Sequence, residues 1–236
     1  MFFQIKIEPV KGLVLRDPEE TSLGRNIVRK GLLLIRYLGF EQFTFKKLAE
    51  NIQTTEASVY RYFENKHRLL LYLLTWYWSY MEYLVIFELQ NVTDPAECIK
   101  RIIRLLVEEL PENLDATGLD KKALYEVVIA ESNKAYLIRE VDMINSHQLF
   151  KPYKDLCHRV ATLFIAYNPD FKWPHSLGST LIETAHVQHY FMLHLPRLTD
   201  FQHSPTPKAE LIEYLECLTV SALDSGRTNA RKMGMD

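Results

Sequence analysis

An all-α fold, in which three short helices precede a larger helical body, is predicted by three features of the 236-residue sequence. Apolar residues return at intervals of three and four over nearly the whole chain, the spacing that places them on one face of a helix. Thr, Ser or Asp precedes most of these runs, and Gly or Pro closes them, as helix ends require. Strand-like alternation is confined to the weak pattern in "FFQIKI" near the start.

Residues 1–20 read as an N-terminal arm. Ile27, Gly31, Leu34, Ile35 and Leu38 share one face of a first helix, with Ser22 as candidate cap and Gly39 as stop. Thr44 caps a short second helix whose inner face is Phe45, Leu48, Ala49 and Ile52, and which ends near residues 51–53. Thr55 caps a third helix of two turns. Glu56 stands in its first turn, where an anion is favoured, and Val59 and Phe63 point inward. A long fourth helix starts at Asn65 or Lys66 and reaches Gln90. Further helices are expected over Pro95–Leu110, Asp120–Glu131, Lys134–His147, Tyr153–Tyr167, Ser176–Leu195 and Pro207–Leu223. Pro111, "YNPDFKWP" and "PRLTDFQHSPTP" punctuate them. The expected division is a three-helix segment at 21–68, a larger helical body at 69–225, and a flexible tail at 226–236.

An apolar fraction of 47% and a charged fraction of 25%, with eight Gly and ten Pro, belong to a folded globular chain. Three dispersed cysteines without a CxxC pair argue against a disulfide framework and against structural zinc, and fit a reducing cytoplasm. The N-terminus lacks the basic start and long apolar run of a secretory signal. The most apolar stretch, 69–89, carries Glu82, Glu88 and many Tyr and Trp, so it reads as a buried helix and not a membrane span. Net charge is −2, but residues 21–68 carry +5 and the rest −7. A basic block on an acidic body is the footprint of nucleic-acid binding, and also a common kind of solvated surface.

Ala49, Gln53 and Val59 have the spacing of a helix-turn-helix: a small residue where helices cross, a turn residue, and an aliphatic residue that pins the second helix. Together with the three capped helices and "FTFKKLAENIQTTEASVYRYFENKHRLL", this segment resembles the TetR family of bacterial transcriptional regulators over Thr21 to Arg68, with Tyr60, Phe63 and Lys66 its most specific signature. Gln53 departs from the family, which usually has Gly at that turn. A left-handed Gln costs roughly 1 kcal/mol, so the turn is either strained or built differently. Carried over residue by residue, the resemblance implies that Lys46, Glu56, Ala57, Ser58, Tyr60 and Arg61 face the major groove of double-stranded DNA. It further implies that Thr44, Tyr60, Tyr62 and Lys66 hold phosphates, with the cap Thr55 in the same contacting set. Arg61 and Lys46 suit guanine edges, and Glu56 either accepts from cytosine or simply caps its helix. Tyr60 and Tyr62 also read as core cover, and Lys66 as a solvated helix start.

On the fourth helix Leu69, Tyr72, Leu73, Trp76, Tyr80, Tyr83, Leu84 and Phe87 fall on one stripe, with Tyr77 and Trp78 at its sides. Such a stripe is more often core than pocket. The resemblance, however, implies a cavity for an aromatic or lipophilic effector in this domain. Trp76, Tyr80 and Tyr83 are its candidate residues, with Tyr125 and Phe164 opposite. In "ETAHVQHYFMLH" the histidines His186 and His189 and the acid Glu183 are spaced for a metal, but the apolar neighbours favour packing. No metal or cofactor is expected. The family resemblance implies a homodimer through the last two helices, where Leu181, Ala185, Phe191, Met192, Leu195, Leu211, Ile212, Leu215, Leu218 and Leu223 are candidate packing residues. The expected function is a ligand-responsive repressor acting as a dimer on a palindromic operator. The alternative is an all-α carrier or enzyme, against which stands the lack of a Ser/His/Asp set or a phosphate-cradling Gly loop.

Overall fold

Thr21, not Ser22, begins the first helix: its hydroxyl accepts from the Gly24 amide at 2.9 Å, and α1 spans Ser22–Leu38. The structure, a computed structural model, describes residues 12–108, 118–136, 139, 141–146 and 148–233. Most of the expected arm, including "FFQIKI", and Pro111 lie outside those residues. From Gly12 onward the arm is fixed, with Leu13 buried and the Leu15 amide bonded to the Tyr62 carbonyl at 2.8 Å. Among the described residues all regular structure is helical.

The chain forms two compact units, Met1–Tyr80 with Leu110–Tyr153, and Met81–Glu109 with Lys154–Asp236. In the first, α1 stops at Gly39, whose φ of 76° only glycine adopts without strain. It is followed by α2 (Phe45–Asn51), α3 (Glu56–Tyr60) and α4 (Lys66–Glu88), of which residues up to Tyr80 belong to this unit. Gly31 marks the crossing of α1 and α4: a Cβ there would stand 2.8 Å from the Leu69 side chain. Ile27, Leu32, Ile35, Leu48, Val59, Phe63 and Leu69 close the core between these helices, each no more than 1% exposed. After α5 of the other unit, α6 (Lys121–Glu131) returns to α1, where the Arg36 guanidinium grips the Glu126 carboxylate, Nη2 to Oε1 at 3.0 Å. The helix expected over 134–147 is instead two short pieces, α7 (Asn133–Tyr136) and α8 (Val141–Ser146), with residues 137, 138, 140 and 147 outside the described set.

The second unit contains the end of α4, α5 (Pro95–Val107), α9 (Lys151–Tyr167, from Lys154 onward), α10 (Pro174–His194) and α11 (Pro207–Met233). Proline at the first turn of α5, α10 and α11 uses a position whose missing N–H has no partner to lose. For α10 this moves the start two residues before the expected Ser176. The helices α5, α10 and α11 pack on one another. The end of α9 is tied to α11 by Asn168 Nδ2, which donates to the Leu223 carbonyl at 2.7 Å, and by Tyr167 Oη on Asp224 at 3.1 Å. Helix α11 continues to Met233, past the Ser225 at which the tail was expected to begin.

Candidate functional site

The turn between α2 and α3 sets the geometry of the candidate DNA-reading surface. At the end of α2 the Thr54 amide donates to the Ala49 carbonyl at 2.9 Å and the Gln53 amide to the Glu50 carbonyl at 3.3 Å. This pair of bonds, from the second and first residues past the helix cap, is the Schellman closure, and it demands a left-handed residue at position 53. Gln53 has φ of 54°. The turn therefore has its ordinary shape with an extraordinary residue, at a strain of about 1 kcal/mol. Ala49 and Val59, 4% and 0% exposed, are buried on α2 and α3, which pack on each other.

Each helix then starts on a capping threonine. Thr44 Oγ1 accepts from the Lys47 amide at 3.2 Å, and Thr55 Oγ1 from the Ser58 amide at 3.2 Å. The Thr55 and Ser58 hydroxyls also bond each other at 2.9 Å. Thr44, Lys46, Thr55, Glu56, Ala57, Tyr60 and Arg61 are all exposed, and Ser58 is half-buried. Tyr60, at 46% exposure, rests the edge of its ring on Phe45 with centroids 5.0 Å apart. These eight residues lie at the start of α2 and along α3 from its N-cap to its C-cap.

Two expected phosphate contacts are placed otherwise. Tyr62 is 3% exposed: its hydroxyl bonds Thr21 Oγ1 at 2.7 Å, and the Arg16 guanidinium lies 5.6 Å from its ring centre. Periodicity carried this signal, because Val59, Tyr62 and Phe63 are i, i+3 and i+4 on one face. Lys66 turns its Nζ into the corner between α1 and α2, donating to the carbonyls of Phe40, Glu41 and Phe43 at 2.9, 3.1 and 3.3 Å. Three acceptors take up its three protons, and the ammonium stands 4.6 Å from the Phe40 ring centre.

The same corner is held from α6 by a residue that sequence reasoning missed. Glu131, 8% exposed, accepts from the Phe40 amide at 3.0 Å through Oε1, while Lys134 bridges its Oε2 at 2.8 Å and Glu41 at 3.3 Å. Burial alone would lower the Lys134 pKa, but its bonds to Glu131 and Glu41 leave it raised. A carboxylate bonded to an amide 91 residues away leaves no mark on sequence periodicity.

The five candidate effector residues fall in both units. Trp76, Tyr80 and Tyr125 belong to the first unit and Tyr83 and Phe164 to the second. Trp76 stacks on Tyr80 at 5.2 Å, and both are buried in core packing together with Tyr77 and Tyr125, whose ring centres lie 6.4 Å apart. Lys121 sets its ammonium 5.1 Å from the Tyr80 ring centre. Phe164 is 1% exposed in the core of its own unit, whereas Tyr83 is half-buried and stacks on Phe87 at 6.5 Å.

The expected dimer residues divide similarly. Leu181, Ala185, Leu211, Leu215 and Leu223 fill the core of the second unit, because the inward stripe of each helix is taken up by its own neighbours. Phe191, Met192, Ile212 and Leu218 are half-buried. Val187, Leu193, Leu195, Leu198 and Tyr214 are each exposed, as are Ile86, Phe87, Ile165 and Trp173 elsewhere in the unit. His186 is buried and its pKa is pushed down to about 3, first by burial and then by His189. It is a neutral packing residue at ordinary pH. Among the described residues no three His, Cys, Asp or Glu side chains gather to hold a metal, and no helix is long and apolar enough to cross a membrane.

Residues 27–73 match the family of bacterial regulatory proteins named tetR, the segment that contains this capped helix-turn-helix. Those residues carry a tetR-family domain. Solved structures extend the TetR-like fold over most of the chain's length. The fatty acid degradation regulator FadR from Bacillus halodurans is 16% identical, with a TM-score of 0.58 over 82% of this chain and 92% of FadR. AibR, in a complex with isovaleryl coenzyme A and operator DNA, is 15% identical, with a TM-score of 0.55 over 82% of this chain and 97% of AibR. A transcriptional regulator from Rhodococcus sp. Rha1 is 14% identical, with a TM-score of 0.58 over 89% and 97% of the two chains. At such identities the likeness is one of fold. No curated protein matches in sequence.

Proposed function

We propose that this TetR-family regulator is a ligand-responsive repressor that binds a palindromic operator as a homodimer. The observation that carries the reading is the exposure of Thr44, Lys46, Thr55, Glu56, Ala57, Tyr60 and Arg61, with Ser58 half-buried beside them, on two capped helices joined by the Gln53 turn. Arg61 and Lys46 donate to guanine edges, and the helix starts at Thr44 and Thr55 offer hydroxyl and amide donors to phosphates. Glu56 accepts from cytosine or remains a first-turn anion. Tyr62 and Lys66 support this surface from beneath instead of touching the backbone of the DNA.

One α3 reads only a few base pairs, so useful affinity needs a second head on a neighbouring half-site. The exposed apolar side chains Val187, Leu193, Leu195, Leu198 and Tyr214, on α10, the turn after it and α11, support a two-fold partner there. Effector binding would favour a head spacing that mismatches the operator, and release follows from that difference in affinity. Isovaleryl coenzyme A, the ligand named with AibR, is the first effector to try. A regulator of this kind works in the cytoplasm beside the chromosome.

The test is a fluorescence-anisotropy titration of duplex DNA from the region upstream of the protein's own gene. Arg61→Ala and Lys46→Ala should each weaken binding by about 1–3 kcal/mol, about tenfold to a hundredfold in Kd, without changing the melting temperature. Unchanged affinity in both variants would remove α3 as the reading element.

A further inference from the structure

Two histidines distant in sequence meet on the surface of the second unit. His158, on α9, and His175, the second residue of α10, are both exposed, and His158 Nδ1 lies 3.3 Å from His175 Nε2. The ring centres are 5.5 Å apart and the ring planes 28° from parallel, so these two nitrogens are the facing edges of the pair. The two residues stand 17 apart in the chain, and neither belongs to the histidines of "ETAHVQHYFMLH".

Each ring is carried by a helix whose backbone is fixed. Leu156, Val160, Ala161 and Phe164 bury the inner face of α9. Helix α10 approaches it closely at Gly178, where a Cβ would stand 3.4 Å from the Cys157 carbonyl and 3.5 Å from Val160 Cγ1. Cys157 adjoins His158, and Gly178 follows His175 by nearly one turn. The connection between the helices is anchored by the buried Asn168, whose Nδ2 donates to the Leu223 carbonyl at 2.7 Å and whose Oδ1 accepts from the Asp170 amide at 3.1 Å. The fold itself therefore brings the rings together.

At 3.3 Å the contact is long for a hydrogen bond, since an N–H donor and its acceptor usually stand about 2.7–3.2 Å apart. The same separation suits a shared metal. Two imidazole nitrogens, each about 2.0–2.1 Å from a tetrahedral zinc ion, lie roughly 3.3–3.4 Å from one another, along one edge of the tetrahedron. Nitrogen ligands of this kind favour zinc over hard ions such as magnesium, which prefer oxygen.

We propose that His158 Nδ1 and His175 Nε2 bind a zinc ion at the solvent surface, with water in its remaining positions. Among the described residues no third His, Cys, Asp or Glu gathers with them. Both rings ligate as neutral imidazoles: the ring whose proton lies between the two nitrogens passes it through solvent to its own other nitrogen, so that each turns a lone pair to the metal. The ion clips the first turn of α10 to α9. This site does not depend on the regulator reading, since its binding is measured without DNA.

Isothermal titration of the full chain with zinc chloride, after removal of any affinity tag and of bound metal, tests this. One zinc should bind per chain, and magnesium should not bind. His158→Ala and His175→Ala should each lose at least tenfold in zinc affinity. Both side chains are exposed, so without zinc each variant should melt at the wild-type temperature; zinc should raise that temperature in wild type and in neither variant. Cys157→Ser, which removes the neighbouring thiol and keeps both rings, should bind zinc as wild type does. No saturable zinc binding, equal binding of magnesium, or wild-type zinc affinity in either histidine variant overturns the site. Lost affinity in Cys157→Ser, or half a zinc per chain, would place the ion on other ligands or between two copies and overturns it as well.

Discussion

Residues 54–66 and residues 69–87 are both crowded with rings, yet the structure treats them differently. In the first, neighbours are sorted one by one: Tyr60 and Arg61 outward, Tyr62 and Phe63 inward, Lys66 into the α1–α2 corner. In the second, every side chain from Leu69 to Trp78 is buried, including Tyr77 and Trp78 outside the expected stripe. A helix with one wet face announces the role of each residue through its period; a helix buried on all sides does not. The sequence therefore places Val59 and Phe63 inward and Tyr60 and Arg61 outward, although it reads Tyr62 and Lys66 outward where they turn inward, and it cannot separate pocket wall from core in α4.

Three substitutions would break or sharpen that contrast. Trp76→Ala should cost about 3–5 kcal/mol in urea denaturation, as for a large ring removed from close packing; a loss below about 1 kcal/mol would mean that Trp76 lines open space. Lys66→Ala should cost about 2 kcal/mol, since it strands three carbonyls and removes a cation from the Phe40 ring. If Lys66→Ala instead unfolds like wild type and loses DNA, Lys66 belongs with the outward residues. The smallest effect is a gain: Gln53→Gly should stabilise the protein by about 1 kcal/mol through relief of the left-handed strain, seen as a higher urea midpoint. No gain would show that the Gln53 side chain makes a compensating contact.

Much of the fold was legible because helix ends are written locally. Thr44, Thr55 and Asp120 cap with bonds of 3.2, 3.2 and 2.8 Å to amides three residues on, and prolines open α5 and α11 as read. At Gln53 spacing left a strained turn and a rebuilt one open, and φ of 54° shows the left-handed one. What was illegible depends on partners distant in sequence. Lys66 reaches carbonyls 23 to 26 residues back, Glu131 reaches an amide 91 residues back, and neither alters any local pattern. The effector candidates are hard to read for a related reason: Trp76, Tyr80 and Tyr125 have the right chemistry for a pocket, but the same buried rings serve equally well to fill one.

The corner at residues 39–43 is strapped twice, by Lys66 through its carbonyls and by Glu131 through the Phe40 amide. Straps of about 3 Å have little slack, for a hydrogen bond stretched by half an ångström has lost most of its strength. A shift of α6 against α1 must therefore either snap the Glu131 strap, stranding a buried carboxylate oxygen, or drag along the corner from which α2 departs. The bond works in both directions. Whatever immobilises α2 from outside also raises the cost of moving Glu131, so any work done on one end of this linkage is felt at the other in equal measure.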